Sequence, residues 1–157
     1  MEELLVSSSG FENGAMMPKK YTVHGENISP DFHLANLSDD AKSIVIIMED
    51  LDHFGRKAFP HWLIWNLPAQ SDIPEAISKG AIVKELDNAF QGVAYGKNGY
   101  RGPKIFRLLN RRHRYCFMIY ALDEKIDLLF SAEKKQLLKV MKNHIIQKGQ
   151  IIGTYKR

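Results

Sequence analysis

The sequence is short of cysteine and of long apolar runs, and each shortage excludes a class of protein. Its single cysteine, Cys116, cannot form an internal disulfide or a paired CxxC metal or redox motif. No apolar stretch approaches the roughly 18 residues that a membrane span needs. The N-terminus opens with acidic residues and lacks the positive and apolar regions of a signal peptide. We therefore expect a cytoplasmic protein.

Acidic residues are also absent from one long stretch, Asn88 to Leu122. The same stretch holds seven basic residues, namely Lys97, Arg101, Lys104, Arg107, Arg111, Arg112 and Arg114. The net charge of the whole chain is only +4, so the positive charge is concentrated here. We expect this part of the surface to attract anions.

Length and composition predict one globular domain over residues 1–157. A chain of this length buries about two thirds of its unfolded surface. Hydrophobic residues make up 45% of the sequence and charged residues 25%, which are ordinary globular values. There is no repeat, low-complexity segment or linker that would divide it.

The segment from Ser43 to Pro68 contains two apolar runs that are typical of buried strands. The first ends at Glu49, Asp50 and Asp52, and the second begins at His61. If the two strands pair antiparallel, the carboxylates and His61 meet at one end of the sheet. A nearby carboxylate would then favour the imidazolium form of His61. The alternative is that the aspartates cap a turn and that His61 is an ordinary surface residue.

A third apolar run, Arg114 to Leu122, predicts another buried strand, and one amphipathic helix is predicted after it. Ser131 is the expected cap of this helix, Glu133 suits its positive end, and Gly149 is expected to end it. Shorter strands are predicted at 3–8, 21–24, 32–37 and 150–155, and a glycine-rich loop at 92–103. The predicted fold is mainly β, with antiparallel sheets, a C-terminal α-helix and small helical turns.

The order of short motifs resembles that of the phosphatidylethanolamine-binding protein (PEBP) family, in particular its bacterial Raf-kinase-inhibitor-like branch. The motifs are NISP at 27–30, EDLD at 49–52, HW at 61–62, YRGP at 100–103, HRY at 113–115 and YALD at 120–123. None is specific alone, but their order extends over nearly the whole chain. The resemblance implies a PEBP-like sandwich of antiparallel sheets with a pocket for phosphate, acetate or phosphorylated head groups.

The resemblance also implies which residues bind the ligand. They are Asp50, His61, Gly102, Pro103, His113 and Tyr115, with Phe59 near the place of an aromatic wall residue. The two imidazoles and the tyrosine hydroxyl would donate hydrogen bonds to an oxyanion. Asp50 would fix a histidine tautomer or accept a bond from a protonated ligand oxygen. Arg101, Lys104, Arg107, Arg111 and Arg112 would attract the anion.

Two departures from the family pattern bear on the pocket. Leu51 and Phe54 replace prolines, so the loop after Asp50 is expected to be less rigid. The link between GP and HRY, KIFRLLNRRHRY, is longer than in the family and strongly basic. It is expected to cover, narrow or rebuild the mouth of the pocket.

Several functions are compatible with these residues. The first is a non-catalytic protein that binds a small anion or phosphorylated head group and modulates a partner protein. The alternatives are a kinase or protease inhibitor acting through the basic 104–112 loop, and a hydrolase in which His61 or His113 is the general base and Asp50 orients it. We expect no cofactor and no metal, and no nucleic acid on the basic stretch. A homodimer is expected only by analogy with bacterial relatives.

Overall fold

The computed structural model describes residues 1–54, 57–106, 108 and 111–157. Its centre is a six-stranded sheet in the order β11-β10-β3-β4-β7-β6, in which every neighbouring pair is antiparallel. Its strands are β3 (Ser43–Asp50), β4 (Phe59–Pro68), β6 (Ile82–Val83), β7 (Ala89–Gln91), β10 (His113–Leu122) and β11 (Ile145–Tyr155).

The remaining elements are short. A three-stranded sheet joins β1 (Val6–Ser7), β2 (Phe32–Leu34) and β5 (Asp72–Ile73), and a hairpin joins β8 (Val93–Ala94) and β9 (Lys97–Asn98). The helix α1 is Lys134–Met141, and two single 3-10 turns lie at Lys19–Tyr21 and Lys84–Leu86. The prediction of a mainly β fold with antiparallel sheets and a C-terminal helix is confirmed.

The central strands are apolar throughout because both faces of the large sheet are covered. Along β3, Ile44, Ile46 and Met48 point into the core shared with the small sheet. The alternate residues Val45 and Ile47 pack in a second cluster with α1. A strand that is buried on both faces has a continuous hydrophobic sequence, which explains the apolar run of β3.

The register of the central strands aligns their ends. Asp50 pairs with Tyr115 of β10 on one side and with Phe59 of β4 on the other. The predicted antiparallel pairing of the first two apolar runs is therefore confirmed. The last residue of β3 and the first residues of β4 and β10 lie at the same end of the sheet.

The prediction of the C-terminal helix was wrong at both ends. The helix begins after Glu133, whose side chain accepts the N-terminal capping bond while Gln136 bonds back to the Glu133 backbone. It ends at Met141, and Gly149 lies inside β11 opposite Ile119. The isoleucines of β11 complete the sheet, and this packing outweighs the helical pattern.

Four shorter segments also differ from the predictions. Tyr21 ends the first 3-10 turn, and residues 22–24 continue as a bend and turn rather than a strand. The strand predicted at 32–37 ends at Leu34, and the segment 3–8 is extended with only Val6–Ser7 paired in a sheet. The glycine-rich 92–103 segment contains the β8–β9 hairpin.

The edge of the sheet at β11 is covered by residues from the start of the chain. The Leu4 amide donates to Lys148 O at 2.9 Å, and Met17 donates to Thr154 O at 2.8 Å. Thr154 in turn donates to Ala15 O at 2.9 Å. Backbone groups that would otherwise form an open strand edge are thereby bonded within the chain.

None of the helices in the described ranges combines the length and the hydropathy needed to cross a membrane.

The backbone of Leu4 lies against β11 at Gly149. A Cβ on Gly149 would collide with the Leu4 carbonyl oxygen. We expect Gly149→Ala to lower the free energy of unfolding by about 1–3 kcal/mol, because the neighbouring backbone must shift. Urea denaturation measures this change. The control is Gln150→Ala at the next, exposed position, and equal stability of the two variants would contradict the packing described.

Candidate functional site

Three central strands bring four side chains of the sequence-predicted site to one end of the sheet. Asp50 is the last residue of β3, His113 and Tyr115 begin β10, and His61 lies near the start of β4. All four are buried. Residues that are far apart in the sequence therefore converge because of antiparallel pairing.

Asp50 and His113 form a buried hydrogen-bonded pair. Asp50 Oδ2 lies 2.8 Å from His113 Nδ1, and the side chains are only 5% and 11% exposed. The other oxygen of Asp50 accepts the backbone N–H of Asp52 at 2.8 Å. The carboxylate thus fixes the orientation of the imidazole and leaves its Nε2 without a partner among the described residues.

His61 is held differently, and its predicted charge state was wrong. Its Nδ1 donates to the carbonyl oxygen of Arg101 at 2.9 Å, so the proton is on Nδ1. Burial lowers the pKa of His61, although that backbone bond and the charge of Asp50 act in the opposite direction. The carboxylate pairs with His113 instead, and loss of solvation outweighs its longer-range attraction for His61. A neutral His61 presents Nε2 as an acceptor.

Tyr115 packs between the two imidazoles. Its ring centroid is 5.4 Å from that of His61 and 6.3 Å from that of His113. Its hydroxyl is buried, and no described residue bonds it with good geometry. Burial, and then the charge of Asp50, raises the pKa of Tyr115, so the hydroxyl keeps its proton. Tyr115 is not among the residues that line the cavity at this end of the sheet, so its contact with a ligand stays a prediction.

A cavity of about 60 Å³ opens at this end of the sheet. Its lining residues are Asp50, His53, Phe54, His61, Tyr95, Lys104, Ile105, Phe106 and His113. The volume is several times that needed for one water and far below that of a typical drug-sized pocket. The cavity therefore has room for one small polar group.

Gly102 and Pro103 form the support behind the cavity. The Gly102 amide donates to Asn27 Oδ1 at 2.8 Å, and a Cβ on Gly102 would collide with the Tyr21 carbonyl oxygen. The Pro103 carbonyl accepts the Val23 amide at 3.1 Å. Gly102 and Pro103 thus hold residues 21–27 against the site. Neither of them lines the cavity.

Phe59 lies beside the cavity as an aromatic support. It stacks on His53 with a centroid distance of 4.2 Å and contacts Tyr95 edge-on at 5.1 Å. Its contact with the ring of His61, at 6.0 Å, is also edge-on.

The basic residues are distributed unevenly around the mouth. Lys104 lines the cavity, and the Arg101 guanidinium stacks on Tyr95 at 4.0 Å. Arg111 lies 5.8 Å from the ring of Phe54, and Arg112 is exposed. Arg107 falls outside the described residues.

Asp52 does not join the cavity. Its two oxygens bind the Nε and Nη2 of Arg114, each at 3.0 Å, and Oδ2 also accepts the Arg114 amide at 2.8 Å. The Arg114 bond lowers the pKa of Asp52. This pair instead fixes the loop after β3 to the start of β10.

Part of the longer basic link narrows the cavity. Lys104, Ile105 and Phe106 line it, and the Ile105 amide donates to Nε2 of His24 at 3.2 Å. Leu51, in place of a proline, uses its amide to bond Arg114 O at 2.8 Å. The loop after Asp50 thus has a backbone anchor that a proline would not allow.

Sequence reasoning did not single out five of the lining residues, namely His53, Phe54, Tyr95, Ile105 and Phe106. The pair Tyr95–Gly96 in the glycine-rich segment was the available signal, because Gly at a tight turn places its neighbour at a fixed point. His53 directly follows the EDLD motif. Ile105 carried no signal as an ordinary apolar residue.

The described part of the chain contains no cluster of three or more His, Cys, Asp or Glu side chains arranged to hold a metal ion. His144, elsewhere on the surface, is instead paired with Asp123 at 3.0 Å and Glu124 at 3.2 Å.

Comparison with known proteins assigns the class. The model of the phosphatidylethanolamine-binding protein family matches residues 7–156, so the chain belongs to this family. A UPF0098 protein of Pyrococcus horikoshii is 40% identical, and the alignment covers 96% of this chain and 75% of that protein. A UPF0098 protein of Archaeoglobus fulgidus is also 40% identical over 100% of this chain, which spans about half (53%) of that longer relative.

Solved structures agree with this assignment. The phosphatidylethanolamine-binding protein homologue CT736 of Chlamydia trachomatis superposes with a TM-score of 0.86 and 31% identity, covering 100% of this chain and 99% of that one. YbcL of Escherichia coli, a member of the mammalian PEBP family, gives a TM-score of 0.87 with 99% of both chains covered. At 21% identity, the likeness to YbcL shows the fold alone.

The lowered pKa of His61 predicts a pH dependence of stability. Below the ordinary pKa of 6.5, the unfolded chain takes up a proton at this position that the folded protein does not. The contribution of His61 is therefore fully present above pH 6.5 and is lost as the pH falls toward its folded pKa. We expect His61→Gln to flatten the loss of stability between pH 7 and pH 5 by up to about 1.4 kcal/mol per pH unit. Denaturant unfolding across this range measures it, and parallel profiles for the two proteins would contradict it.

Proposed function

We propose that the protein is a non-catalytic binding protein whose cavity holds a small anion or the phosphate of a phosphorylated head group. The convergence of Asp50, His61 and His113 on one small cavity carries this proposal, with Tyr115 packed beside the two imidazoles. Polar atoms without partners at a buried site are costly, and a bound oxyanion would supply a partner for Nε2 of His113, which lines the cavity.

The donors and acceptors around the cavity favour a phosphate that keeps one proton. In its imidazolium form, the His113 ring held by Asp50 would donate from Nε2 to an anionic oxygen. The neutral His61 would accept from a ligand P–OH through its Nε2. A phosphate monoester monoanion offers both kinds of oxygen, and Lys104 supplies a further positive charge at the rim.

Titration of the rings tests this proposal. We expect inorganic phosphate and phosphoethanolamine, each at millimolar concentration, to shift the His61 and His113 ring resonances in NMR spectra. We expect His113→Ala to weaken binding about tenfold or more, because it removes a charge-assisted bond. The matched control is His144→Ala, because His144 pairs with Asp123 and Glu124 away from the cavity. A lack of response from both rings would contradict the proposal.

The same samples also test hydrolysis, for which the Asp50–His113 pair has the geometry of an oriented general base. Phosphate release from phosphoethanolamine should be absent. Release that requires His113 would show that the protein is an enzyme and would overturn its non-catalytic assignment.

Modulation of a partner protein has separate support. Phe106 is 59% exposed and Leu108 is 99% exposed, and Lys104 and Arg111 lie in the same basic stretch beside the cavity mouth. Exposed apolar side chains with basic neighbours are typical of a protein contact.

We expect Leu108→Ser to weaken capture of a partner protein while phosphate binding is unchanged, since Leu108 does not line the cavity. Quantitative pull-down against wild type measures this effect. Leu129→Ser is the control, because Leu129 is a comparably exposed apolar residue (73%) outside the basic stretch. Equal loss in both variants would argue against a role for this loop.

A further inference from the structure

A larger groove lies directly beside the small cavity. Its volume is about 430 Å³, several times that of the cavity. One wall is formed by Phe59, Pro60, Val93, Ala94, Tyr95 and Gly96, and the other by Glu133, Lys134 and Lys135 at the start of α1. The first wall is largely apolar and carries no charged side chain.

Two of the three charged side chains on the second wall are already engaged. Lys134 Nζ lies 2.6 Å from Glu49 Oε2. The Glu133 side chain caps the N-terminus of α1. Their charges are therefore compensated within the protein, so an apolar guest would face few unpaired charges here.

Tyr95 is shared by the cavity and the groove. It lines both, and its ring contacts His61 and Phe59 edge-on, with both centroid distances 5.1 Å. The Arg101 guanidinium stacks on the same ring. A ligand that extends out of the cavity past this ring would enter the groove.

The backbone at Tyr95 is unusual for a bulky residue. Its φ is +54°, and Gly96 follows with φ +71°, so the two residues form the tight turn between β8 and β9. Such turns favour Asn-Gly because both central residues have positive φ. Backbone strain from a positive φ is retained where the side chain has a role. The contacts of the Tyr95 ring with His61, Phe59 and Arg101 explain why a tyrosine occupies this position.

We propose that this groove is a second subsite, and that it receives the apolar substituent of a ligand whose acidic group occupies the cavity. The inference rests on the function proposed for the cavity and narrows it to phosphate monoesters that carry an aryl or alkyl group. The cavity has room for the phosphate alone, so the substituent must lie outside it. The apolar wall at Phe59, Val93 and Tyr95 is the adjoining surface that it can bury.

Calorimetric titration with inorganic phosphate, methyl phosphate, phenyl phosphate and hexyl phosphate tests the subsite. We expect phenyl and hexyl phosphate to bind about tenfold or more tightly than methyl phosphate, because they bury apolar area that methyl phosphate lacks. Phenol and hexanol should not bind measurably without the phosphate.

Variants of the groove residues test where the apolar substituent binds. We expect Val93→Asn to bring phenyl phosphate down to the affinity of methyl phosphate while leaving methyl phosphate binding unchanged. Tyr95→Asn should also abolish the tighter binding of phenyl phosphate. Because Asn-Gly is the preferred sequence for this turn, the substitution should not disturb the backbone of the hairpin, and the lost affinity would be due to the missing ring. Ile82→Asn is the control, since Ile82 is an exposed apolar residue (45%) that lines neither space.

The possible results distinguish the proposed apolar subsite from the proposed function of the cavity. Equal affinity for methyl and phenyl phosphate would overturn the subsite while the cavity function stands. A gain that survives Val93→Asn would show that the substituent lies elsewhere and would overturn the assignment of the groove. No binding of any phosphate, including the inorganic ion, would overturn both.

Discussion

The hydrogen-bonded pairing of β3 with β4 and β10 is the constraint on which the site depends. Strand pairing fixes side-chain direction with a period of two, and a slip of one residue would turn every side chain to the other face. The observed register places Asp50 opposite Tyr115, two residues along β10 from His113 and therefore on the same face of the sheet. The Asp50–His113 pair, the two imidazole orientations and the cavity all follow from this alignment. Packing on both faces of the sheet holds the alignment in place.

Burial then divides the two histidines into different roles. The ring of His113 bonds the Asp50 carboxylate, whereas Nδ1 of His61 bonds the backbone carbonyl of Arg101 within a desolvated site. One ring is oriented beside a negative charge, and the other is kept neutral. The pair can offer a donor and an acceptor to the same guest, which two identical environments could not do.

The sequence pattern was sufficient to predict the broad architecture and the meeting of Asp50 with His61, whereas the family resemblance was needed to place His113 beside them. Continuous apolar runs identify buried strands, and charged residues at their ends identify the edge where they meet. The partner of Asp50 and the charge state of His61 required coordinates, because they depend on distances of a few ångströms and on lost solvation. The ends of α1 could not be predicted from the local pattern either, because the residues of β11 are stabilised more by completing the sheet than by extending the helix. Tyr95 could not be identified because its role depends on a turn that places one ring between two spaces.

The cover over β11 has a consequence for how the chain folds. Leu4 bonds to Lys148 and Met17 to Thr154, so strand-edge partners are separated by almost the whole polypeptide. On a ribosome, Leu4 and Met17 would lack these backbone partners until β11 emerged, although Val6 and Ser7 could already pair with β2. Contacts of such long sequence separation slow folding, and the unfinished sheet would present an open edge in the meantime. Synthesis of this protein therefore includes a period of exposure to self-association that ends when the segment around Leu4 and Met17 pairs with β11.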